Sequence, residues 1–187
     1  MENLPTPEGI AIDTQFQKLV SSILTEATIE LLRACNAPVE KRDEKTITSS
    51  SRISISLGST IGFTGEFVRG SLAISIEKDF ADKINPISGQ SNDFVNIDWI
   101  GEFANQLLGR IKNRLLSYNI EISLSTPLTI IDGNLRLGGR NRSATHYMFA
   151  HEDHRLDVWW DAQTDPDLSI SQSPENAAQA EGDMVFF

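Results

Sequence analysis

Thiols are almost missing from this chain: Cys35 is the only cysteine among 187 residues. A single thiol excludes an intrachain disulfide and a thiolate zinc cluster. Long apolar runs are missing too, and nothing approaches the roughly 20 residues that span a bilayer. The first residues, MENLPTPEG, have neither a basic n-region nor an apolar h-region, so no signal peptide is expected. An excess of bases is also lacking: 16 Lys and Arg face 26 Asp and Glu, a net charge of −10. Phosphate contacts need clustered Lys and Arg, and anionic leaflets attract basic segments. We therefore expect a soluble cytoplasmic protein with no nucleic-acid partner and no membrane partner. No P-loop, dinucleotide fingerprint or G-x-S-x-G elbow occurs, and the Ser49–Ser51 run has no such elbow around it.

What is present suits one globular domain. Hydrophobic residues make up 40% of the chain, an ordinary share, and the length supports a core without staples. The acidity is uneven. Residues 1–150 hold 17 acids and 15 bases, whereas residues 151–187 hold nine acids and Arg155 alone as a base. From Ala162 to Asp183 the chain has no aromatic, almost no branched apolar residue and no periodicity. Such a stretch buries too little surface to order itself. We therefore expect a leader at 1–11, a domain at 12–161 and an acidic tail at 162–187. The tail ends on an apolar run, Met184–Phe187, which is either a frayed end or a short docking peptide.

Within the domain the hydrophobic period switches twice. Phe16, Leu19, Val20, Ile23, Leu24, Ala27 and Leu31 recur with helical spacing, which predicts a helix over 12–36 with Asp13 as its N-cap. Alternation follows at Ile53–Leu57, Ile61–Phe67 and Leu72–Ile76, read as a three-stranded meander punctuated at Gly58 and Val68–Gly70. Asp79–Asn85 reads as a short helix closed by Pro86, and Ile87–Asn96 as a loop. Asp98–Tyr118 is a second long helix, and strand residues resume at Ile120, Ile122 and Leu124. Asp132–Gly133 reads as a hairpin turn, and His151–His154 as the tip of a last hairpin. Helix followed by strands, twice over, predicts an α+β domain with two long helices across a largely antiparallel sheet.

The second long helix carries the chemistry. At 100° per residue, Trp99, Ile100, Phe103, Ala104, Leu107, Ile111 and Leu115 form its buried face. Asp98, Glu102, Asn105 and Gly109 gather on the opposite side. Glycine inside a helix costs about 1 kcal/mol relative to Ala, and that is usually tolerated where a backbone or partner must approach.

The spacing D-x-x-x-E-x-x-N at Asp98, Glu102 and Asn105, with Pro127 22 residues beyond Asn105, resembles the signature of the CheC/CheX/FliY family of response-regulator phosphatases. GSTIGFTGEFVRGSLAIS at 58–75 is similar to that family's strand–turn–strand segment, and GEFANQLLGRIKNRLL at 101–116 to its catalytic helix. The resemblance covers about residues 12–161. The first helix has no second E-x-x-N: Glu26 meets Ile29 and Glu30 meets Arg33 at the Asn position, so the likeness is to the single-motif CheX type.

The resemblance implies a phosphatase acting on the aspartyl phosphate of a CheY-like receiver domain. Asn105 would position the attacking water and Glu102 would pair with the receiver's lysine, with Asp98 and Gly109 in support. The Mg²⁺ would be the partner's, so no cofactor or metal of this chain's own is expected. It also implies a homodimer formed through the sheets. The alternative is a non-catalytic module of the same fold that binds a response regulator or a flagellar switch component. Asp98, at the predicted helix start, is explained by N-capping alone, and Pro127 by setting a turn. His146, His151 and His154 lie close to Glu152, Asp153 and Asp157, a possible metal site, but a polar hairpin tip is simpler. Of Trp159 and Trp160, one must face outward if they share a strand.

Overall fold

The first helix begins earlier than its apolar pattern. The computed structural model describes residues 7–48, 52–86, 93–136 and 143–172. In it α1 runs Pro7–Ala34. Pro7 at its first position fits, because proline has no N–H to leave unbonded there. Asp13 therefore lies inside the helix rather than capping it, and the expected leader is helical from Pro7. Phe16, Val20, Ile23, Leu24, Ala27 and Leu31 are all buried, as their spacing requires. The helix ends at Asn36, whose φ of 58° is the left-handed terminus that Asn tolerates.

Seven strands follow, with two helices among them: β1 Glu40–Thr48, β2 Arg52–Thr64, β3 Val68–Ile76, α2 Lys78–Ile84, α3 Asp93–Leu116, β4 Ser123–Leu124, β5 Leu128–Arg136, β6 Ser143–His151 and β7 His154–Thr164. They make one antiparallel sheet in the order β1-β6-β7-β3-β2, with β4 and β5 both on the far side of β2. The fold is thus α+β with a largely antiparallel sheet, as expected. α1 packs on α3, and α3 packs on β2, β3 and β5.

Several boundaries differ from the pattern reading. The three-stranded meander is two strands, because β2 passes through Gly58 without a turn. A Cβ there would lie 2.3 Å from the Ile74 carbonyl oxygen, so the glycine permits a close strand approach rather than a bend. Asp132–Gly133 is not a hairpin. β5 continues through it along β2 in constant register, from Leu57↔Ile131 to Ile55↔Gly133, with Asp132 at φ 45°. Asp132 also meets Lys78 Nζ at 2.7 Å. β1 carries no apolar alternation, and its charges hid it. It is an edge strand on β6, and charged edges resist further pairing. Ile120 and Ile122 are buried, but only Ser123–Leu124 pairs as strand. Residues 93–96 are helical rather than loop.

Both faces of the sheet carry apolar clusters, which resolves the two tryptophans. Trp160 is buried against the helices and stacks on Phe63, ring centroids 4.4 Å apart. Trp159 is buried on the other face with Ile53, Ile55, Ala73 and Ala144. Neither faces outward.

The domain does not stop at Asp161. Residues 162–164 complete β7 against β3, with Val68↔Thr164 as the last pair. The Asp165 N–H donates to the Phe67 carbonyl at 2.7 Å. Leu168, at 3% exposure, enters the main core, and Ile170 packs on it. Two apolar anchors in a polar stretch suffice because the β2–β3 hairpin supplies backbone partners. Ser49–Ser51, Leu137 and Met184–Phe187 lie outside the described residues. Leu168→Ala should lower unfolding stability in urea by about 2–4 kcal/mol, the usual result of emptying a leucine site; a solvated tail residue would change it by less than about 0.5 kcal/mol.

Candidate active site

α3 is amphipathic over its whole length, and the sheet fixes which face is free. Ile100, Phe103, Ala104, Leu107, Leu108, Ile111 and Leu115 are each 3% exposed or less. Asp98, Glu102 and Asn105 are exposed on the opposite side, and Gly109 is half-buried. The helix sets Asp98, Glu102 and Asn105 along about 10 Å, with Gly109 about 6 Å further on, at 1.5 Å per residue. Asp98 lies five residues inside the helix that starts at Asp93, so N-capping does not explain it. Among the described residues neither Asp98 nor Glu102 forms an ion pair, and both carboxylates are exposed.

Two neighbours that pattern reading passed over hold this face. Gln106 Nε2 donates to Glu102 Oε1 at 3.0 Å and orients the carboxylate along the helix. Its i,i+4 spacing from Glu102 was the available signal. Thr129 Oγ1 donates to the Ile97 carbonyl at 3.3 Å, tying the start of β5 to the helical turn before Glu102. Pro127 sits between β4 and β5, but both strands run antiparallel to β2, and the Ser125 N–H donates to the Gly62 carbonyl at 2.9 Å between them. The chain therefore continues along β2, and Pro127 does not set the expected turn. It lies beside Gly101, where a Cβ would be 4.0 Å from the Pro127 Cβ. Proline and glycine together let the chain pass close beneath the helix at the turn that carries Glu102.

Gly109 has a different character. A Cβ built there meets nothing within 4 Å, so no packing among the described residues calls for a glycine. The space above it is open to a partner.

The ends of α3 are anchored separately. Asn85 Nδ2 donates to Asn96 Oδ1 at 3.1 Å and Asn96 Nδ2 to Asp82 Oδ1 at 2.6 Å, which joins α2 to the N-terminal part of α3. Arg114 donates to the Ile23 carbonyl at 3.3 Å and also bonds Glu30, which joins the other end to α1. Between them Cys35 is half-buried, and burial raises its thiol pKa, an effect Arg110 partly offsets. Burial likewise lowers the Arg110 guanidinium pKa, opposed by Glu30.

The histidines do not converge. His146 is not at the hairpin tip but buried in mid-strand, where Nε2–H donates to Asp157 Oδ1 at 2.6 Å and the ring stacks on Trp159. His151 Nδ1–H donates to the Pro38 carbonyl at 2.6 Å, and His154 faces Glu77 at 3.3 Å. Among the described residues no three His, Cys, Asp or Glu side chains are placed to hold a metal ion. No described helix is long and apolar enough to cross a membrane.

Comparison with known proteins places the stretch that holds this helix within a family match. The family model for the chemotaxis phosphatase CheX matches residues 57–148, which hold α3 and the strands around it. Over that stretch, just under half of its length, the chain is similar to the CheX chemotaxis phosphatases. Solved CheX structures share the fold of this chain. A chemotaxis protein CheX from Desulfovibrio desulfuricans has a TM-score of 0.69 at 14% identity, covering 77% of this chain and 99% of that one. CheX from Vibrio vulnificus gives 0.67 at 17% identity, covering 77% and 99%. A complex of CheX with CheY, BeF3 and Mg²⁺ from Borrelia burgdorferi gives 0.63 at 16% identity, covering 76% and 96%. At these identities the likeness is one of fold. The comparison with curated proteins gives no match. On α1, Ser22 bonds Glu26 and Arg114 holds Glu30, the two glutamates that lack an Asn three residues on. Because Gly109 is unpacked among the described residues, Gly109→Ala should raise the stability of this protein by about 1 kcal/mol, read from its urea midpoint.

Proposed function

We propose that this protein hydrolyses the aspartyl phosphate of a CheY-like receiver domain, with Asn105 and Glu102 as the residues that act on it. The observation that carries the reading is the α3 stripe: a carboxylate and a carboxamide one turn apart, exposed, on a helix whose other face is immobilised in the core. The family's description as chemotaxis phosphatases supports the reaction class. The CheX–CheY complex from Borrelia burgdorferi supports the class of partner.

The chemistry asks for positioning more than for a strong base. A water attacks phosphorus in line with the aspartyl oxygen, the P–O bond to that oxygen breaks, and the carboxylate and inorganic phosphate separate. The transition state is largely dissociative, with charge spread over the phosphoryl oxygens. Asn105 can accept a hydrogen bond from the water through its carbonyl oxygen and donate to a phosphoryl oxygen through its NH₂. A carboxylate at that place would repel the phosphoryl group. Glu102, held by Gln106, pairs with the receiver's lysine and fixes the amide over the phosphate. Asp98 adds a second negative charge one turn earlier and steers the same cationic surface. Mg²⁺ belongs to the receiver. The work is done in the cytoplasm, where receivers are phosphorylated. The exposed apolar residues of β5, Leu128 at 65% and Ile131 at 43%, suit a homodimer that pairs along this edge.

A non-catalytic binding module would use the same face without needing the amide. The two readings separate on one variant. Asn105→Ala should lower the phosphate-release rate from a phosphorylated receiver by at least about 100-fold, the scale of lost positioning, while binding to the receiver persists. Glu102→Ala should weaken binding and rate together. Stopped-flow dephosphorylation and a fluorescence titration of the beryllofluoride-activated receiver measure both; an Asn105→Ala variant as fast as wild type sinks the catalytic assignment.

A further inference from the structure

One face of α3 borders a groove that the proposed chemistry does not use. It lies between the C-terminal end of α1, α2 and the first half of α3, and encloses about 1000 Å³. Its apolar lining includes Leu31, Cys35, Phe80, Ile84, Trp99 and Phe103. Trp99 and Phe103 contribute tilted rings 5.3 Å apart. The Asn85–Asn96–Asp82 chain holds the α2 wall against α3. Apolar surface this concave, on an otherwise charged face, marks an interaction site.

The lip decides the occupant. Asp98, Glu102 and Gln106 belong both to the catalytic face and to the lip of this groove. Across it Glu152 is paired with Lys83 at 3.5 Å. The unpaired charge at the lip is therefore negative and lies on the α3 side. A surface that brings a lysine to Glu102 must pass over the groove mouth.

We propose that the groove is the specificity pocket for the receiver: it takes bulky apolar side chains from a receiver segment that also carries basic groups to meet Asp98 and Glu102. This rests on the receiver reading above. The stripe supplies chemistry that any aspartyl-phosphate receiver can meet, since all present the same phosphate and lysine. The groove supplies discrimination, because a receiver with a polar or small residue at that place leaves apolar surface wet and gains no affinity.

The test fills the groove from two walls without touching the stripe. Ala34, exposed at the end of α1, and Val95, half-buried on α3, both line it. Ala34→Trp and Val95→Trp should each raise KM for a phosphorylated receiver by about 10-fold or more, equivalent to about 1.4 kcal/mol of binding. They should keep kcat within about twofold and thermal unfolding near wild type. Ala34→Ser should match wild type in both constants. If wild type dephosphorylates the receiver and both filled variants, folded, keep its KM, the groove assignment is overturned and the phosphatase reading stands. If KM falls on filling, and falls equally when the chain ends at Gln172, the chain's own last residues occupy the groove and the assignment is again overturned. If wild type neither binds nor dephosphorylates any receiver, both readings fall together.

Discussion

Burial of one side of α3 against β2 and β3 is the constraint on which the rest depends. Seven apolar side chains, from Ile100 to Leu115, lose almost all contact with water. Full burial of such residues contributes about 1.5–3 kcal/mol each, so rotation of the helix about its axis would expose several of them at once. That fixes the azimuth of every other residue on the helix. Asp98, Glu102 and Asn105 are outside because Ile100, Phe103 and Leu107 are inside. The site needs no loop to hold it, and a rigid helix places an amide more accurately than a loop does.

The same constraint explains where polar bonding is concentrated. α3 is fastened at its beginning to α2 by two asparagines and an aspartate, in the middle to β5 by Thr129, and near its end to α1 by Arg114. Each bond is modest, but together they stop the helix from sliding along its axis, which apolar packing resists poorly. The free carboxylates lie between these anchors. Among the described residues neither carboxylate has an ion-pair partner, so Asp98 and Glu102 are left exposed to a partner's positive charge.

Legibility followed burial. The two long helices and the α3 stripe were readable because one-sided burial writes a 3.6-residue period into the sequence. The last hairpin was readable because its turn is local. Misreadings fell where the signal is not local. Gly58 and Gly133 read as breaks, yet each serves a close contact within a continuous strand. β1 is charged because it is an edge, so it lacked the apolar alternation by which strands are recognised. Residues 162–170 read as tail because Leu168 and Ile170 are the only branched apolar residues among them, and their anchoring depends on a hairpin nearly a hundred residues earlier. Both long helices begin five or six residues before the pattern marks them, at Pro7 and Asp93 rather than Asp13 and Asp98, since an apolar period marks where burial begins rather than where the helix does.

By itself the amino-acid order determined the α+β class, the helix that carries the site, and the Glu102–Asn105 pair with its Asp98 neighbour. It could do so because their geometry depends on helix pitch alone. It also determined the acidic balance of the whole. Only the tertiary structure decided that Gly109 faces open space, that Gln106 and Thr129 brace the site, that both tryptophans are buried, and that an apolar groove adjoins Glu102. Each of these joins elements far apart in the chain. Which side chains meet there is set by how the helices settle on the sheet, and no local period records it.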